Sequence, residues 1–179
     1  MRRVVGAVAL LGMLALSGCG GGDPLPTLPP TPSSTPVFAS EEEALAAAEE
    51  AYADYQAAVD LALQTLDPSA LDQVAVDTAL QNAQESVANL EASGSRQVGF
   101  TSVASVAPTD LSPLFEPGVV GDAQIYACLD LTAVGIEAAD GTVSQSSIPL
   151  FPMLVTLRSQ GQVLLVAAEE VWDGENFCS

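Results

Sequence analysis

Three cysteines, Cys19, Cys128 and Cys178, carry most of the reactive chemistry this chain offers. A thiol can ligate metal, act as a nucleophile, take a lipid or pair with another thiol, and spacing separates these roles. A zinc site needs clustered Cys and His, but these cysteines lie far apart and the chain has no His. A redox pair of CxxC type is absent as well, so neither a metal nor another cofactor is expected. Without His, no side chain titrates near neutrality unless its environment shifts it, so proton transfer would need a perturbed carboxylate. Glu169 and Glu170 are adjacent on a predicted strand and project to opposite faces, which rules them out as a dyad. GxGxxG, P-loop and calcium-loop spacings are missing too, and no catalytic residue is assigned.

The charge balance excludes further classes. Four Arg and no Lys stand against 23 Asp and Glu, a formal charge of −19. Nucleic acid is not an expected partner, because phosphate binding requires clustered cations. An anionic membrane surface would likewise repel the chain. The acidity serves solubility; a basic ligand or a bound cation is the alternative. At 179 residues there is room for one domain with extra segments. Of the 49% hydrophobic residues many are Ala and only 5% of the chain is aromatic, so close backbone packing must build the core.

The N-terminus places the first cysteine. In "MRRVVGAVALLGMLALSGC", Arg2 and Arg3 precede an apolar run from Val4 to Leu16 that ends in small residues. Residues 1–18 therefore read as a secretory signal peptide, too short for a comfortable bilayer span. Leu16-Ser17-Gly18-Cys19 resembles the lipobox of bacterial lipoproteins, which implies cleavage before Cys19 and its acylation. Two or more acyl chains, palmitate among them, would anchor the mature chain to the membrane. With Cys19 assigned to lipid, Cys128 and Cys178 remain, and an oxidising compartment outside the membrane favours their pairing. "DGEN", just before the final cysteine, is turn material that would let the tail reach back to the strand around Cys128.

The segment 19–39 reads as a disordered linker. Residues 20–37 hold six of the chain's 12 prolines, and an extended spacer of that length reaches about 50 Å. A ligand for a proline-recognition domain is the alternative. The domain proper spans 40–179. "SEEE" reads as a capping box with Ser40 as N-cap and Glu43 three residues on. Leu45, Ala48, Tyr52, Tyr55, Val59, Ala62, Leu63 and Leu66 then recur at helical spacing, and Leu61, off this stripe, suggests cover on two sides. Asp67-Pro68 starts a short helix over 68–75, and a further helix runs over 77–92 until Gly94 stops it. Beyond it the period changes to two. One strand is expected over 98–106, another over "DAQIYACLDLTAVGI", a turn at Asp140-Gly141, and a final pair "IPLFPMLVTLR" and "GQVLLVAAEEVW". Helices followed by a meander make an α+β fold: N-terminal helices packed on a curved four-stranded antiparallel sheet.

"EEALAAAEEAYADY", "YACLDLTAVGI" and "VWDGENFC" together resemble small lipoproteins of high-G+C Gram-positive, actinobacterial type, similar in layout to the NTF2-like, cystatin-like α+β superfamily. That resemblance implies a cone-shaped sheet around a helix and a cavity used for binding or catalysis. Enzymes of the superfamily commonly use Asp/His pairs, which this chain cannot supply. Asp130 could line such a cavity with Tyr52, Tyr55, Phe100 and Trp172, or else face solvent. The expected function is a lipid-anchored, extracytoplasmic, non-catalytic domain of the cell envelope. Its partners would be the membrane, through Cys19, and an envelope protein, peptide or small apolar ligand. An NTF2-like enzyme with a buried carboxylate and a structural accessory subunit are the alternatives.

Overall fold

The computed structural model describes residues 36–117, 121–146, 150–161 and 163–178. The expected signal peptide, Cys19 and nearly all of the linker lie outside the described residues.

Helix α1, Glu41–Thr65, begins as its sequence dictates. Ser40 is extended and its hydroxyl accepts the Glu43 N–H at 3.2 Å. The Glu43 carboxylate reaches back to the Ala39 N–H at 3.0 Å, one residue earlier than a reciprocal box requires. Three acidic residues in the first turn suit the helix dipole. Ala44, Ala48, Tyr52 and Tyr55 are buried along one stripe, and the alanines let the helix lie close to its neighbours. Leu61 corrects one expectation: it is 55% exposed, because the packing on this half uses Ala58, Val59, Ala62 and Leu63 instead.

The expected helix over 68–75 is a single 3-10 turn, Leu71–Gln73, which buries Leu71 fully. Val74–Val76 then runs beside a strand, with the Val76 N–H donating to Val166 O and the Val166 N–H to Val74 O. This explains why Val74 falls out of phase with the helix that follows. Helix α2, Asp77–Ser93, buries Ala79, Ala83 and Val87. Gly94 ends it with φ +66, and the Ser95 N–H bonds back to Leu90 O.

The β region departs from one meander. Strand β1, Arg96–Val98, and strand β2, Ser102–Asp110, are separate where one strand was expected. Gly99 divides them with φ +79, and a Cβ there would sit 1.7 Å from the Ala133 carbonyl oxygen. Strand β3, Ala123–Asp130, likewise ends before a turn that leads into β4, Gly135–Glu137. The Asp140-Gly141 turn joins β4 to β5, Val143–Gln145, with Gly141 at φ +83. Strand β6, Leu150–Gln160, and β7, Val163–Val171, close the fold.

The result is α+β with two antiparallel sheets: a four-stranded sheet ordered β2-β3-β6-β7, as expected in strand number, and a three-stranded sheet ordered β1-β4-β5 that was not expected. After Asp77–Ser93 a short third helix, α3, Ser112–Phe115, leads out of β2. Ile125, Ala127, Met153, Val155 and Leu157 face the buried stripe of α1. Each Å² of apolar area that this layer removes from water contributes roughly 25 cal/mol.

Candidate functional site

Cys128 and Cys178 are bonded, with sulfurs 2.06 Å and Cα atoms 5.6 Å apart. The bond lies on the sheet face away from the helices, since its neighbours Ala127 and Leu129 point into the core. The tail after β7 folds onto that face. Tyr126 packs edge-on to Trp172 at 5.0 Å between ring centres and against Phe177 at 4.9 Å. The Trp172 indole donates to Glu175 O at 3.1 Å, and the Cys178 N–H to Asn176 Oδ1 at 2.9 Å. The turn read in "DGEN" therefore forms, and the three rings pack against one another.

On the opposite face, a carboxylate joins helix to sheet. Glu169 accepts from the Tyr52 hydroxyl at 2.5 Å, the Gln56 amide at 2.6 Å and the Tyr55 hydroxyl at 3.3 Å. Strand parity alone would turn Glu169 away from Val166, which is in the core. A bulge corrects this: Leu157 pairs with Val166 and Thr156 with Ala168, so Ala167 is extra and the later residues swap faces. The unpaired Ala167 carbonyl takes the Thr78 hydroxyl at 3.1 Å. Glu169 thus faces α1 opposite Val155, while exposed Glu170 faces the other way, so the two form no dyad. Burial raises the Glu169 pKa above its ordinary 4.5 against the opposing pull of its three donors. Burial first, then the neighbouring Glu169 charge, pushes both phenols up as well, so Tyr52 and Tyr55 stay protonated donors.

A second carboxylate sits on α1 itself, one turn beyond Gln56. Asp60, 2% exposed, accepts from Gln97 Nε2 at 2.5 Å and from the Thr101 hydroxyl at 2.9 Å on Oδ1, and from the Thr101 N–H at 2.6 Å on Oδ2. It fastens α1 to the corner between β1 and β2. Beside it, a groove of about 320 Å³ opens between α1 and that corner, lined by Ala53, Gln56, Ala57 and Asp60 on one side and Phe100 to Val103 on the other. Phe100 is 68% exposed at its rim.

Asp130 does not join these groups. It ends β3, where it accepts the Thr132 N–H at 2.8 Å, and that bonding holds its pKa below the ordinary value. The proposed lining set is divided: Tyr52 and Tyr55 lie in the core beneath Glu169, Phe100 projects outward, and Trp172 lies on the far face. The carboxylate that meets the tyrosines is Glu169. Its bulge leaves no mark in the sequence, but Gln56 and Asp60 do. With Tyr52 they occupy positions i, i+4 and i+8 of an otherwise apolar stripe, where polar side chains must find partners.

Both described arginines are engaged. Arg96 pairs with Glu137 at 2.8 Å, and Arg158 forks onto Asp122 and also reaches Asp77. Among the described residues no group of three His, Cys, Asp or Glu is placed to hold a metal ion, and no helix is long and apolar enough to cross a membrane.

No protein family matches this chain by sequence, and no curated protein does. Among solved structures, the intermembrane space region of the chloroplast protein ARC6 is similar, with a TM-score of 0.52 at 14% identity. The match covers 71% of this chain and 95% of that one. At this identity the likeness is one of fold alone.

Proposed function

We propose that the chain is a lipid-anchored binding domain on the extracytoplasmic face of the cell membrane, of the NTF2-like lipoprotein type its motifs resemble. The leader, the lipobox-like end at Cys19 and the proline-rich spacer support the anchoring. The observation that carries the binding role is the use made of the two inward carboxylates. Glu169 and Asp60 each accept three hydrogen bonds across the helix–sheet boundary, so both brace α1 against the sheets while the groove beside Asp60 stays open. A carboxylate whose acceptor sites are largely filled by its own fold favours bracing over proton transfer.

One observation favours a second reading, an enzyme with a buried carboxylate. Burial raises Glu169 toward the range a general base needs, which makes it, rather than Asp130, the residue to test. Hydrolase and isomerase assays on the natively produced chain and on Glu169→Gln separate the two. Turnover that Glu169→Gln abolishes would overturn the binding role. For the anchor, Cys19→Ser should abolish acylation seen by mass spectrometry and leave the protein unprocessed or outside the membrane fraction. An acylated, membrane-bound Cys19→Ser protein would refute it.

A further inference from the structure

The groove beside Asp60 has a specific polar floor. Gln56 is only 6% exposed, and its Nε2 donates at 2.6 Å to Glu169 Oε1, the oxygen that also accepts the Tyr52 hydroxyl. In this orientation Gln56 Oε1 is left without a hydrogen bond among the described residues, yet in reach of solvent rather than sealed in the core. Asp60, four residues on and so on the same helix face, keeps a free acceptor site on Oδ2, which takes only the Thr101 N–H. Buried carboxylates ordinarily face a cation, yet Asp60 meets only neutral donors. Both described arginines are engaged elsewhere.

Two acceptors one helical turn apart call for a ligand that brings several donors and positive charge. The walls add a second requirement. Ala53, Ala57 and Val103 present small apolar surface suited to methylene groups, and Phe100 offers an exposed aromatic ring at the mouth. An aromatic ring beside a carboxylate is a favourable seat for a cation. The chain's net charge of −19 would raise the local concentration of such a ligand.

We propose that this groove binds an alkylammonium group, with the nitrogen at Gln56 and Asp60 and the aliphatic stem between Ala53, Ala57 and Val103. It names a ligand class for the binding role above and rests on that role. A lysine side chain of a partner and a free diamine share this chemistry.

Calorimetric titration of the full chain with cadaverine and with N-acetyl-lysine methylamide tests the site, with 1-pentanol as the uncharged control. Saturable binding at one site by either amine, and none by the alcohol, is expected. Stronger binding of the lysine amide marks a partner's side chain as the source, and stronger binding of cadaverine marks a free amine. Ala57→Leu, at an exposed helix position, fills the groove and should weaken binding at least tenfold with melting unchanged. Phe100→Ser should weaken it about two- to fivefold, the range of an exposed cation–aromatic contact. Equal binding of the alcohol, no saturable binding of either amine, or binding that both variants leave intact would overturn the proposal. The last result would mean diffuse attraction to an acidic surface. None of these failures touches the binding role itself, which falls only if turnover is found.

Discussion

Cutting the bond between Cys128 and Cys178 tests how the tail is held on the sheet. The two residues are 50 apart in sequence. In the chain-entropy treatment a loop of that size constrains the unfolded state by about 4 kcal/mol. Unfolding entropy of about 2.1 cal/mol/K per residue gives roughly 0.3 kcal/mol/K for a domain of this size, so reduction should lower Tm by about 14 °C. The chain has one Trp, and it packs against Tyr126 and against Phe177, the neighbour of Cys178. Trp172 emission therefore reports both events. It should shift to the red at low temperature as the tail loosens, then follow global melting at the lowered Tm. Cys178→Ser, which changes only the outer partner, should melt with the reduced wild type and ignore reductant. Coincident melting of oxidised and reduced wild-type protein, with Cys128 and Cys178 both titrating as free thiols in each, would refute the pairing and the tail's place on the sheet.

Other perturbations bear on the braces. The Glu169 pKa is raised in the fold, so its contribution is fully present below the ordinary value of 4.5 and is lost as pH rises through the raised value. Wild type should accordingly gain stability relative to Glu169→Gln as pH falls from 7 toward 4.5; a pH-independent difference in urea melts would refute the assignment. Arg158 holds Asp122 below its ordinary 3.8, so that pair acts in the opposite sense and is lost only in stronger acid. Asp60→Ala should cost about 3 kcal/mol in the same melts, because Gln97 and the Thr101 N–H lose their acceptor. A cost under about 1 kcal/mol would show that the corner is held by other contacts. Gly99→Ala meets both a positive φ and the Ala133 carbonyl, and should lose about 1–3 kcal/mol; an unchanged Tm would show that the corner can open.

Features set by neighbouring residues are legible in the sequence. Ser40 with Glu43 announces α1, Gly94 its successor's end, and Asp140-Gly141 a hairpin, because capping and turn chemistry act over three or four positions. The disulfide followed from compartment and count. The second sheet did not, since strands as short as Arg96–Val98, Gly135–Glu137 and Val143–Gln145 carry too few residues to show a period of two. Gly99, inside an apparent strand, was the available sign of a break. Glu169 was hidden for a different reason. Alternation assigns faces only while register holds, and the extra Ala167 reverses it just before the residue that matters.

The sulfur bond also fixes which side of the sheet the chain occupies at Cys178. With Cys178 fastened on the face away from α1, anything fused or coupled after it emerges behind the sheet. A sensor chip or bead attached through the C-terminus would hold the protein with its helical side toward the sample, so ligand screens run in that orientation start with the groove unobstructed.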